Sequence, residues 1–428
     1  MLTTLPKGMK DIEKEEMAIR SWIIEKIKKV LTTYGFQLVE PSTIENLETL
    51  EAQAGEDVKQ QIYWFKDKGG KEIGLRFDLT VGITRMLATK LEIQEPIKIA
   101  CISNMWRYDE PQFARLRIFW QWDAEIYGSK EPEADAEVIV LGIDLMEKFG
   151  VKDFEVRIGN RKLTEGILLS IGVEKKQMEN VMRIIDKFRK LSIEELKDEF
   201  KKYLSEIQIE RIMSLIKLSG NVNVLEKIKK ILPQNEKAME GFNELVEVAK
   251  VLKNFEKIEK CIFDLSIVRG LGYYTGTVFE CYAKGNEDVG AIFAGGRFDN
   301  LSKLYGKDRP ATGNAGGIER LLILLKRLKL LPKIEQPIKV FVASAGEKVR
   351  EDVMQAVNLL RRTGISTDFD LKGRSLTRQL EYADSLDIPY VLIIGKKEVE
   401  SGIVKLRDMK RRTEKEMTLE DLINFFSK

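Results

Sequence analysis

Apolar residues recur at helical spacing between residues 13 and 34, where Met17, Ile19, Trp22, Ile23, Ile27 and Val30 predict an amphipathic helix. YGFQLVEPS then reads as a strand that ends at Pro41. IYWFKDKGGKEIGLRFDLT reads as a hairpin turning at DKGG, and LTVGITRMLATKL as a helix. IKIACISNMWRYDE and RIFWQWDAEIYG read as two strands joined by the polar loop PQFARL. EADAEVIVLGIDLMEKFG predicts a helix that stops at Gly150. From residue 165 to about 256 the texture changes, with Lys, Glu, Ile and Leu abundant and Met178, Val181, Met182, Ile185 and Phe188 on one face. That stretch is expected to be a helical insert between two β-rich segments. Strand patterns return in CIFDLSIVRGLGYYTGTVFECYA and GAIFAGGRFDNL, before a buried helix in GGIERLLILLKRLKLL. Pro332 and Pro337 bracket a polar linker. Beyond it IKVFVAS, STDFDL and YVLIIG alternate with two helical stretches, a βαβαβ rhythm that predicts a separate α/β domain of roughly 90 residues.

Composition narrows the chemistry. A chain of 428 residues, 43% hydrophobic and 32% charged, fits two or three soluble globular domains. The net charge of +3 is nearly balanced, so any contact with nucleic acid must come from local patches. KLRDMKRR, residues 405 to 412, reads either as such a patch or as a solvated charge run. Cys101, Cys261 and Cys281 form no CxxC pair and read as small buried side chains, not as a disulfide framework or zinc site. The start MLTTLPKGMKDIEKEE has no apolar signal region and no run reaches membrane length, so a cytoplasmic location is expected. The sequence contains no histidine at all. Ser-His-Asp and Cys-His nucleophile systems, HExxH zinc sites and histidine bases are therefore excluded. No GxxxxGK[ST] loop occurs either. What remains is arginine, carboxylate, tyrosine, backbone amide and oxygen-held metal.

Four places gather such groups. In LRFDLT, Asp78 and Thr80 alternate with Phe77 and Leu79, which predicts a shared strand face and a carboxylate for a ligand ammonium group. The alternative is a helix N-cap. In WRYDEPQFARLRIFWQWDAEIYG, Arg107, Arg115 and Arg117 cluster about a turn and fit a polyphosphate. Gln121, Asp123 and Glu125 project from one strand face and fit a small polar ligand, or else simply face water. In SIVRGLGYYTGTVFE, Arg269 precedes Tyr273 and Tyr274 in a glycine-rich stretch, which reads as an arginine aimed at an anion or as an exposed strand end. AGGRFDN and GNAGGIERLL each set a glycine pair before an arginine, Arg297 and Arg320, which suits backbone packed on a nucleotide.

Taken together and in this order, these stretches resemble the class II aminoacyl-tRNA synthetases, and among them the histidyl-tRNA synthetase family. VEPSTIE is similar to that class's motif 1, WRYDEPQFARLRIFWQ to motif 2 and GNAGGIERL to motif 3. VRGLGYYTGTVFE is similar to a signature peculiar to the family, usually VRGLDYYTG, and LRFDLT matches its histidine-binding segment. RSLTRQLEYADSLDIPYVLIIG looks like its anticodon-binding domain. The resemblance implies an α+β catalytic core on an antiparallel sheet over 1–164 and 257–330, a helical insertion over 165–256 and an anticodon-binding α/β domain over 338–428. It implies ATP-dependent ligation of L-histidine to tRNA(His) through a histidyl-adenylate, with ATP-borne Mg2+, in a homodimer with Pro41 at its interface. Arg107, Asp109, Arg115, Phe119 and Arg320 would hold ATP, with Arg107 on the α-phosphate and Phe119 and Arg320 about the adenine. Asp78, Leu79, Thr80, Gln121, Glu125, Tyr273 and Tyr274 would hold histidine, with Glu125 facing the imidazole, and Arg269 would reach the α-phosphate from the amino-acid side. Two other outcomes stay open: a non-catalytic regulatory subunit of ATP phosphoribosyltransferase, and a ligase for another amino acid. The chain departs from the family pattern at Gly82, Ile118, Gly272, Asn314 and Gly316, each a place where the pocket could loosen or change its substrate.

Overall fold

The two long alternating runs form the spine of the fold. In the computed structural model, β5 (Ile97–Trp106) and β6 (Ile118–Tyr127) pair antiparallel along their whole length, Ile97 opposite Tyr127 and Trp106 opposite Ile118. The structure describes residues 3–52, 59–90, 94–111, 113–114, 116–269, 272–334 and 337–427. Arg115, Gly270 and Leu271 therefore lie outside the described residues. Around the spine grows a nine-stranded sheet in the order β1 (Gln37–Leu38), β5, β6, β12 (Ala311–Gly317), β11 (Phe293–Arg297), β10 (Thr277–Ala283), β7 (Phe154–Asn160), β9 (Cys261–Asp264), β8 (Ser219–Gly220). Pairing is antiparallel throughout the middle, with parallel pairs β1–β5 and β7–β9 toward the two edges. A small second sheet orders β2 (Ile44–Asn46), β4 (Glu72–Leu75) and β3 (Trp64–Lys66), the last two forming the expected hairpin.

Strand alternation decides which face is dry. Trp122, Ala124 and Ile126 of β6 turn toward helices Lys14–Thr33, Pro132–Lys148, Glu236–Asn254 and Ile318–Arg327, and with Phe242, Phe263, Phe279 and Phe293 they make the main core. The last helix is amphipathic, not wholly buried as its composition suggested. Only Ile318, Leu321, Leu324 and Leu325 are enclosed. The expected insert splits in its packing. Helices Met178–Ile185, Ile193–Lys201 and Glu206–Leu215 enclose a core of their own, with Val181, Ile185, Leu196, Phe200 and Ile212 buried. Residues such as Val224, Phe242 and Leu252 belong instead to the main core.

The departures at Gly82 and Gly316 have a packing reason. A Cβ on Gly316 would lie 2.1 Å from Cζ2 of Trp122, whose indole is 1% exposed and has nowhere to retreat. A Cβ on Gly82 would lie 2.9 Å from that of Pro41. Gly316→Ala should lower the free energy of unfolding by about 1–3 kcal/mol through overpacking. Urea unfolding checks this, and an unchanged midpoint would mean that the indole yields. Asn314 is buried and donates from Nδ2 to the Val138 carbonyl at 2.8 Å, so it ties β12 to the helix beneath. Gly272 is exposed, and a Cβ there would meet nothing within 4 Å. No contact in the structure explains that glycine.

The chain divides into compact units Met1–Pro332 and Lys333–Lys428. In the second unit β14 (Thr367–Phe369), β13 (Val340–Ser344) and β15 (Tyr390–Ile394) are parallel, as the βαβαβ rhythm predicted. An antiparallel hairpin, β16 (Val404–Asp408) and β17 (Thr413–Met417), extends them. It contains most of the basic run, and its strand cations are partly matched: Arg407 lies 3.4 Å from Glu414, and Lys405 lies 3.7 Å from Glu398.

Candidate active site

A cleft of about 1020 Å³ opens on the sheet face opposite the main core. Its floor is backbone-rich, with Ala294, Gly295, Gly313, Ala315, Gly316 and Gly317 from β11 and β12 among its lining. Of the two glycine pairs, Gly295, Gly316 and Gly317 line the cleft and Gly296 does not. Their arginines part company. Arg320 lines the cleft and donates to the Ala291 carbonyl at 2.9 Å. Arg297 does not line it. It is 3% exposed and bound to Asp135 at 2.9 Å and Asp299 at 3.2 Å, so it is a structural ion pair.

The cations that line the cleft come only in part from the predicted turn, because Arg157, Lys187, Arg189 and Lys190 line it as well. Arg107 and Asp109 line it, with Arg107 donating from Nε to the Phe77 carbonyl at 2.9 Å and lying 5.1 Å from the Phe119 ring centroid. Arg117 turns aside instead. Its Nε donates to the Asp109 carbonyl at 2.9 Å, and its guanidinium lies over Tyr108.

The acidic lining depends on the start of one helix and the alternation of one strand. Asp78 and Thr80 do not share a strand face. The helix Leu79–Ala88 begins between them, and Asp78 is its N-cap, with Oδ1 accepting from the Val81 amide at 3.4 Å. Both residues nonetheless line the cleft, so capping and ligand binding are compatible here. Leu79 is fully buried in the apolar cluster with Ile83 and Tyr127 and is not among the lining residues. From β6, Gln121 and Glu125 line the cleft while Asp123 lies beneath it, 1% exposed, accepting from Gln121 Nε2 at 2.5 Å. Glu125 Oε2 accepts from the Tyr127 hydroxyl at 2.7 Å.

Two of these buried carboxyl groups, Glu125 and Asp123, are pushed toward their protonated forms. Burial pushes the Glu125 carboxyl up to about 7, with hydrogen bonds from Thr80 and Tyr127 opposing the rise and Asp78 adding to it. Asp123 is driven well above its ordinary value, first by burial and then by the charges of Asp78 and Glu125, with Gln121 and Arg107 opposing. The arrangement favours a ligand that brings positive charge or hydrogen-bond donors.

Arg269, Tyr273 and Tyr274 also line the cleft. Arg269 is on no strand. It follows β9 in a loop, with a left-handed φ of 59°. Its Nη1 donates to Glu280 at 2.6 Å and its guanidinium lies 5.6 Å from the Tyr274 ring, while Nε is buried with no acceptor among the described residues. Tyr273 packs on Tyr274 and edge-on against Phe298. Glu280 itself was not anticipated. It and Tyr282 break the apolar run of β10 on the cleft side, and Tyr282 donates to Glu280 at 2.6 Å. That alternation was the available signal.

A family model described as histidyl-tRNA synthetase matches residues 8–321, and one described as an anticodon-binding domain matches residues 339–428. A relative named histidine–tRNA ligase from Pyrococcus furiosus is 37% identical over 422 residues, covering 98% of this chain and 97% of its own. Another of that name from Pyrococcus abyssi is 39% identical over 420 residues, 97% of each chain. Among solved structures, histidyl-tRNA synthetase from a Nostoc species aligns with a TM-score of 0.83 at 27% identity, covering 99% of both chains. A Bacillus halodurans protein named an ATP phosphoribosyltransferase regulatory subunit/histidyl-tRNA synthetase aligns at 0.77 and 25% identity, over 92% of this chain and 99% of its own.

Proposed function

This chain belongs to the histidyl-tRNA synthetase family, and on that premise we propose how its cleft charges tRNA with histidine. It is an aminoacyl-tRNA synthetase, and ATP is its energy source. The observation that supports the assignment of roles is the mixed lining of the cleft, where the carboxyl groups Asp78 and Glu125 meet the guanidinium groups Arg107, Arg269 and Arg320 over a glycine-rich floor. Histidine carries an ammonium group and an imidazole that suit those carboxyl groups. Asp78 and Thr80 take the ammonium, and Glu125 faces the imidazole beside Gln121, Tyr273 and Tyr274. ATP lies over the glycine floor, its adenine between Phe119 and Arg320, with Asp109 also among the residues that hold it. Mg2+ enters as part of the nucleotide substrate.

The histidine carboxylate, ionised at neutral pH, attacks the α-phosphorus and pyrophosphate leaves. Arg107 and Arg269 hold the charge that develops on the α-phosphate oxygens. The terminal ribose hydroxyl of tRNA(His) then attacks the acyl carbonyl, a phosphate oxygen accepts its proton, and AMP departs. Positioning and charge do the work, so neither step needs a histidine side chain. We further assign residues 165–256 as an insertion in the catalytic core 1–164 and 257–330, and 338–428 as the anticodon-binding domain. We assign a cytoplasmic location and a homodimer whose interface includes Pro41. Leu38, Ile44, Trp64 and Phe65 on β1, β2 and β3 are large apolar residues left exposed in the single chain, which supports that interface.

Histidine alone, among the twenty amino acids, should support ATP–pyrophosphate exchange. Exchange with none of them would favour a regulatory protein, and exchange with another amino acid alone would move the specificity.

A further inference from the structure

Asp264 closes β9 with its side chain fully enclosed, and its two oxygens face different tasks. Oδ1 accepts from the Ser266 amide at 2.9 Å and from the Ser266 hydroxyl at 2.6 Å, which sets the turn that leaves the strand. Oδ2 accepts from Arg157 on β7 at 2.8 Å and from Arg189 at 2.5 Å. Arg189 belongs to the helical stretch, just beyond the helix that ends at Ile185. The turn continues with the Ile267 amide donating to the Asp264 carbonyl at 3.2 Å. Val268 follows, fully buried in the core formed by helices Met178–Ile185, Ile193–Lys201 and Glu206–Leu215. Arg269 is the next residue, in its left-handed conformation. A non-glycine residue persists there only where its surroundings fix it.

The segment from Asp264 to Arg269 is therefore gripped at its start by an arginine of the helical stretch, in its middle by that stretch's core, and at its end by Glu280. We propose that Asp264 and Arg189 are positioning residues for Arg269, so that the helical stretch is part of the machinery that aims the guanidinium at the α-phosphate. This rests on the reading of Arg269 given above. A tie that merely fastened the helices to the sheet would cost stability when cut, and nothing else.

Arg189 keeps 36% of its side-chain surface exposed and itself lines the cleft, so truncating it leaves no cavity in a core, and the double variant below separates positioning from a direct contact with substrate. In ATP–pyrophosphate exchange by the full chain, Arg189→Ala should lower kcat about tenfold or more, with KM for histidine and for ATP within about threefold of the parent. Arg189→Lys returns a cation to Asp264 and should recover most of that loss. In an Arg269→Ala background, Arg189→Ala should add almost nothing, because the group it positions is gone. An additive loss, a loss confined to KM, or a lowered melting temperature with kcat intact would overturn the positioning role and leave that of Arg269 standing. Near-normal exchange by Arg269→Ala alone would bring down both.

Discussion

Arg269→Ala should slow histidine-dependent ATP–pyrophosphate exchange by roughly 10²–10³-fold. The loss has two parts. The first is the cation that meets charge developing on the α-phosphate. The second is what the truncation leaves behind. Burial opposes ionisation of Glu280, but Arg269 and Tyr282 hold its carboxyl below the ordinary value. With Arg269 gone, an enclosed carboxylate would face the incoming triphosphate, left with the Tyr282 hydroxyl and the weaker influence of Lys190. Glu280→Gln in the Arg269→Ala background should therefore recover part of the rate by removing that repulsion, although it restores no cation. Exchange by Arg269→Ala within about threefold of the parent would show that the guanidinium does not reach the reacting phosphate.

Glu125→Gln should trade activity for stability. The carboxyl titrates near 4.5 in its ordinary state and near 7 in the folded chain. Between those values the folded state binds the extra proton, so stability falls as pH rises through the window and stays reduced above it. Glutamine cannot ionise and keeps an acceptor for Thr80 and Tyr127. At pH 8 the variant should exceed the parent's unfolding free energy by on the order of 3 kcal/mol, and at pH 4.5 the difference should nearly vanish. Exchange with histidine should fall about 100-fold or more, because the partner of the imidazole has lost its charge. Urea unfolding at the two pH values and exchange at saturating ATP check both halves. A variant less stable than its parent at pH 8 would contradict the burial argument.

What was legible in the sequence follows from how local each signal is. The dry and wet faces of β6 could be read because a strand alternates every residue, so Trp122 and Glu125 declare opposite sides on their own. Asp78 and Thr80 alternate in the same way, yet the backbone turns helical at Leu79. Four residues are too few to separate a strand end from a helix start. The N-cap alternative was present in the side chain itself. Arg297 and Arg320 share the pattern of a glycine pair and a following arginine. What separates them is Asp135, 162 residues from Arg297, which no local pattern could reveal. The hairpin of β16 and β17 escaped because TEKEM is charged and mostly exposed, so it offers no apolar alternation. The pairing of Arg269 with Glu280 escaped for a different reason: a loop, not a period, brings them together.

The departures at Gly316 and Gly82 read, in the sequence, as looseness in a pocket. In the fold each is half of a fitted pair. Trp122 fills the space that a side chain at 316 would need, and Pro41 fills much of that at 82. Neither member of a pair can be exchanged first without a penalty. Replacing Gly316 or Gly82 alone therefore tests the fit against Trp122 or Pro41 as much as the pocket itself.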